Sequence, residues 1–85
     1  MYQIYYSRNN YRIDVKPLSK TFKDGMLMRN FLRDAEENPG KVVRYNDCYS
    51  FSTSRKALLE FGREIKEKWI DELKDEISRF ESIKI

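Results

Sequence analysis

Apolar and polar residues alternate in two short stretches near the start of the chain. Tyr2, Ile4 and Tyr6 interleave with Gln3, Tyr5 and Ser7, and Tyr11, Ile13 and Val15 interleave with Arg12, Asp14 and Lys16. A period of two is that of a strand with one buried face. Asn9-Asn10 lies between the stretches and suits a two-residue hairpin turn, because Asn tolerates positive φ. Such a loop pairs Tyr6 with Ile13 and Ile4 with Val15, and sets Tyr5 beside Asp14 and Ser7 beside Arg12. Both faces are then chemically consistent. Pro17 has no N–H for a ladder and ends the second strand.

The period then changes. Phe22, Met28, Phe31, Leu32 and Ala35 stand at helical spacing after Ser19 and Thr21, either of which can cap free amides, with Asp24 completing a capping box from Thr21. Gly25 weakens this helix by up to about 1 kcal/mol relative to Ala, and Asn38-Pro39-Gly40 stops it. Lys41 to Thr53 reads as a second hairpin. A loop of Asn46-Asp47-Cys48 pairs Val43 with Phe51, Arg44 with Ser50 and Tyr45 with Tyr49, which gathers the aromatic side chains on one face.

Beyond Ser54 there is no proline, and Gly62 is the only glycine. Leu58, Phe61, Ile65, Trp69, Leu73, Ile77 and Phe80 recur every three or four positions, the stripe of an amphipathic helix over residues 53–83. Glu64 and Lys68, Arg63 and Glu67, and Asp75 and Arg79 are spaced for side-chain pairing along it. Unbroken from Ser54 to Ser82, this helix is roughly 43 Å long at 1.5 Å per residue.

These elements define an α+β domain: two layers, in the order β-hairpin, helix, β-hairpin, long C-terminal helix, with a mainly antiparallel sheet. A length of 85 residues with 40% hydrophobic side chains supports one modest core, so residues 1–85 form a single domain. A compact chain of this length has a radius of gyration near 12 Å, and the last helix is therefore expected to overhang its sheet. Trp69, Leu73, Ile77 and Phe80 become the candidate protein interface, with self-association through paired helices as the favoured use. The alternatives are a helix that crosses the whole sheet or breaks near Gly62, and insertion into a partner's groove.

Charge adds a second candidate surface. The net charge is +3, but Arg8, Arg12, Lys16, Lys20 and Lys23 face only Asp14 in the first 23 residues, and residues 64–85 are acidic. Arg8, Arg12, Lys16, Arg44, Arg55 and Lys56, with interleaved tyrosines, form a candidate RNA- or DNA-binding set, since cations neutralise phosphates and rings stack on bases. Arg55 and Lys56 oppose the dipole of the helix they begin.

Catalytic chemistry is not expected. The chain has no His, which removes the commonest general base and metal ligand. Gly25, Gly40 and Gly62 form no phosphate-cradling motif. Cys48 is the only cysteine, so it has no intrachain disulfide partner, and a lone thiol fits a reducing compartment. A cytoplasmic protein without cofactor, metal or membrane span is expected. A ribonuclease of the His-free toxin type, built on Arg, Lys, Tyr and Glu, is the enzymatic alternative.

The opening Met1-Tyr2-Gln3-Ile4-Tyr5-Tyr6-Ser7-Arg8-Asn9-Asn10-Tyr11, with the Tyr-, Lys- and Asp-rich remainder, resembles the small accessory proteins of large lytic bacteriophages. That resemblance implies a protein that binds and redirects or inhibits a host factor, such as a defence nuclease, a toxin or the transcription machinery. It carries over no functional residue.

Overall fold

The structure, a computed structural model, describes residues 1–25 and 28–85, apart from the side chain of Asp24. The expected Thr21–Asp24 capping box therefore lies outside the described residues. Four strands form one sheet in the order β2-β1-β4-β3: β1 (Tyr2–Ser7), β2 (Arg12–Pro17), β3 (Val43–Arg44) and β4 (Tyr49–Ser52). All pairings are antiparallel, and the two hairpins join through β1 and β4.

Both hairpin registers follow the alternation of the sequence. Tyr6 lies opposite Ile13, Ile4 opposite Val15, Tyr5 opposite Asp14 and Ser7 opposite Arg12. In the second hairpin Val43 pairs with Phe51 and Arg44 with Ser50. Its loop is closed by Asn46, whose Oδ1 accepts from the N–H groups of Cys48 and Tyr49 at 2.8 and 2.7 Å. The first turn differs in one respect. The Tyr11 N–H donates to the Arg8 carbonyl at 3.2 Å, and the positive φ falls on Tyr11 (φ 53) rather than on Asn9 or Asn10. In this four-residue loop the left-handed residue is the one next to the returning strand. Tyr11 thus leaves the strand pattern and stands 92% exposed.

The single helix expected after Pro17 is two: α1 (Lys20–Asp24) and α2 (Arg29–Glu37). Gly25 caps α1 in an extended conformation (φ −75, ψ 121), and with its low helix propensity this is the point that gives way. Ser19 occupies the N-cap without a side-chain cap bond. Its N–H instead donates to Gln3 Oε1 at 2.7 Å, which ties α1 to the sheet and satisfies a glutamine that is 2% exposed.

The α+β class, the antiparallel sheet and the element order are those expected, but the layering goes beyond two. Tyr2, Ile4 and Tyr6 point to one face of the sheet. The opposite face carries Tyr49 and Phe51, whose rings meet Phe22 of α1 at 5.0 and 5.1 Å between centroids. Phe31 of α2 meets Tyr45 there at 5.2 Å. The last helix, α3 (Arg55–Glu81), packs Leu58, Phe61, Ile65 and Trp69 against Ile4, Tyr6, Ile13 and Val15 on the first face. Helix therefore covers both faces, because the aromatic face made by the second hairpin needs a cover of its own.

Close approach of α3 depends on small residues. A Cβ on Gly62 would lie 3.1 Å from Ile13 Cγ2 and 3.2 Å from Ile4 Cδ1. Ser50 and Ser52, opposite Ile4 and Tyr2, are fully buried beneath the helix. Ser50 Oγ shares a hydrogen bond with the Tyr6 hydroxyl, and Ser52 Oγ accepts from the Ser54 N–H. Ser54 in turn caps α3, its Oγ accepting from the Ala57 N–H at 3.1 Å.

The helix is continuous through Gly62 for 27 residues, about 40 Å at 1.5 Å per residue. Every residue from Ile70 onward is exposed. The radius of gyration is 16.3 Å and the molecule measures 57 × 21 × 18 Å, against the roughly 12 Å expected of a compact chain this long. Among the described residues no helix is long and apolar enough to cross a membrane.

Candidate protein-interaction surface

The overhang keeps its apolar stripe after its own sheet has ended. Leu73 is 45% exposed, Ile77 54% and Phe80 65%, and all three extend the row that Leu58 and Ile65 begin inside the core. Trp69 has a different place from these three. It is half-buried against the Ile4–Tyr6–Leu58 core and marks where the supported half of α3 ends.

The hairpin tip braces α3 just past that point. Arg8 Nη1 donates to Glu72 Oε2 at 2.6 Å, with both side chains about two-fifths exposed. Exposed pairs of this kind contribute roughly 0–1 kcal/mol, so the brace orients the helix more than it stabilises it. A groove opens on each side of Trp69. One, of about 690 Å³, runs between α3 and the second hairpin and is lined by Val42, Arg44, Cys48, Phe61, Ile65 and Trp69 among others. The other, of about 610 Å³, runs between α3 and the first hairpin, with Tyr11, Ile13, Trp69, Ile70 and Leu73 on its walls.

Ile70 and Tyr11 were not among the residues expected at an interface. Ile70, 39% exposed, was legible, because Ile70, Leu73, Ile77 and Phe80 follow steps of three, four and three, the spacing of a helix-pairing seam. Tyr11 carried no such signal, since its exposure follows from the loop geometry.

The six candidate nucleic-acid residues do not come together on one surface. Arg12 and Lys16, opposite Ser7 and Gln3, lie on the strand face turned away from α3, with Arg12, next to the loop, also bordering the groove between α3 and the first hairpin. Arg8 and Arg44 line the groove between α3 and the second hairpin. Arg55 and Lys56 begin α3, past the end of β4. Three of the six are held by carboxylates: Arg8 by Glu72, Arg12 by Asp14 and Arg44 by Asp47. Arg12 also lies over the Tyr5 ring, 5.9 Å from its centroid. Of the three helix pairs expected from spacing, Asp75 with Arg79 forms, at 3.0 Å.

No protein-family model, no curated protein and no solved structure matches this chain, so the surface is read on its own chemistry.

Proposed function

We propose that this is a non-enzymatic binding protein whose docking element is the distal half of α3, and that its first partner is a second copy of itself. The observation that carries this reading is the seam of Ile70, Leu73, Ile77 and Phe80, 39 to 65% exposed along one line of a helix that outruns its sheet. Burying an exposed Leu, Ile or Phe fully is worth about 1.5–3 kcal/mol, so covering a half-exposed one contributes on the order of 1 kcal/mol. Eight such side chains across a pair of helices make a contact worth forming, and water has no comparable use for them. An inhibitor or adaptor role toward a further protein is the expectation that comes with the resemblance of the opening residues to phage accessory proteins.

Analytical ultracentrifugation tests the docking element. The wild-type chain should associate as its concentration rises, and Leu73→Asp with Ile77→Asp should sediment as a monomer while circular dichroism shows the helix content kept. A wild-type monomer at every accessible concentration, or an association indifferent to both substitutions, would end this reading. RNA or DNA binding is the second reading. It rests on Lys16, Arg55 and Lys56, which are exposed and make no ion pair among the described residues.

A further inference from the structure

The apolar line of α3 begins before the overhang. On the side of the helix next to β2, a groove of about 230 Å³ over Val15, Leu59 and Gly62 runs into the 610 Å³ groove beside Tyr11, Ile70 and Leu73, the two sharing Ile13 and Lys66. Among the described residues no carboxylate lines either one, whereas Arg8, Arg12, Arg63 and Lys66 do. Arg8 and Arg12 are engaged by Glu72 and Asp14. Arg63 and Lys66 make no ion pair among the described residues. The groove thus has an apolar floor and a basic rim.

The overhang has the complementary character. Asp71, Glu72, Asp75, Glu76 and Glu81 outnumber Lys74, Arg79 and Lys84 around its apolar seam. Lys66 precedes Ile70 by four positions, so groove wall and seam share one line along the helix. A helix laid antiparallel on the seam is therefore led into the groove.

We propose that the groove receives the overhanging half of α3 from a second copy of this chain, the two helices antiparallel about a two-fold axis near Leu73. The proposal rests on the reading that the seam is a docking surface, and adds what the seam docks into. Counting outward from Leu73, Ile77 of one copy comes level with Trp69 of the other and Phe80 with Lys66. Glu81 comes level with Ile65, two positions from Arg63. The Lys66 stem and ammonium cover the Phe80 ring, a pairing suited to a cation and an aromatic face, and Glu81 meets Arg63. The arrangement is isologous, so each copy gives an overhang and supplies a groove. Parallel pairing would set acidic overhang against acidic overhang and basic groove against basic groove, which like charges oppose.

Two measurements test this on the full chain. In a Cys48→Ser background, a spin label on Ser82→Cys should report a label separation of about 30 Å, since two arms of nine residues at 1.5 Å each lie end to end. Parallel helices would bring the labels to about 10 Å, the spacing of packed helices. Separately, Arg63→Glu with Lys66→Glu should weaken association by about tenfold or more, and adding Glu76→Lys with Glu81→Lys should restore most of it. All four positions are exposed, so circular dichroism should show an unchanged fold. A short separation, or an affinity untouched by the groove substitutions, would overturn the groove while leaving the seam as a docking surface. A chain that never associates would overturn both.

Discussion

Leu58 and Phe80 stand on the same helix, and truncating each should have very different costs. Leu58 is fully buried and belongs to the core with Ile4 and Tyr6. Replacing a buried Leu by Ala removes its transfer free energy and leaves a cavity, typically a loss of 2–5 kcal/mol. A domain of this size shifts its Tm by roughly 4–8 °C per kcal/mol, so a loss of about 3 kcal/mol lowers the Tm by roughly 12–24 °C. Phe80 is 65% exposed and Leu73 45%, and neither has a sheet beneath it. In a single chain, Ala at these positions costs little packing and keeps or improves helix propensity, so the change should stay within about 0.5 kcal/mol. The assay is urea unfolding followed by circular dichroism and by the fluorescence of Trp69, the only tryptophan, at the lowest workable concentration. Raising the concentration should make the Phe80→Ala penalty grow, because a partner that binds only the folded chain stabilises it by mass action. If Phe80→Ala or Leu73→Ala matched Leu58→Ala at the lowest concentration, the overhang would be packed on its own body and the reasoning about an unsupported seam would fail.

The two remaining predictions concern local geometry. Ser54→Ala removes the side-chain acceptor for the Ala57 N–H at a helix start with no acidic residue in its first turn; it should cost about 0.5–2 kcal/mol, read as a lower midpoint in urea with an unchanged slope. Tyr11→Gly relieves a left-handed tyrosine (φ 53) that is almost wholly exposed, and should raise stability by about 1 kcal/mol; a loss of stability would mean that the ring makes contacts its exposure does not suggest.

Elements built from neighbours in the chain were open to reading from the sequence. The first hairpin's register followed from the alternation around Asn9-Asn10, and the second from the demand that Val43 and Tyr45 share a face with Phe51 and Tyr49. The length of α3 followed from an unbroken three-four spacing and the absence of proline, and its overhang from that length set against the size of a compact chain. The distal seam of the candidate surface was visible for the same reason, with Leu73, Ile77 and Phe80 named and Ile70 overlooked.

What depends on residues far apart in the chain had to wait for the tertiary structure. Gln3 alternates with apolar residues as a solvent-facing position should, yet it is buried because α1 lies over it and the Ser19 N–H needs its carbonyl. Gly25 was visible as a weak point, but only the packing of Phe22 and Phe31 on the aromatic face turned it into a break between two helices. Tyr11 left its strand because the loop closing the first hairpin places a left-handed residue at that position. The candidate cations were dispersed because strand register and helix placement, not proximity in sequence, decide which charges share a surface. The groove beside α3 belongs wholly to this second class: its walls come from β2 and the helix, about fifty residues apart, and it exists because Gly62 lets them approach. Periodicity thus determined each element and the face it buries, since those depend on side chains a few positions apart; the pairing of β1 with β4 and the division of helices between the two faces decided which surfaces remain open.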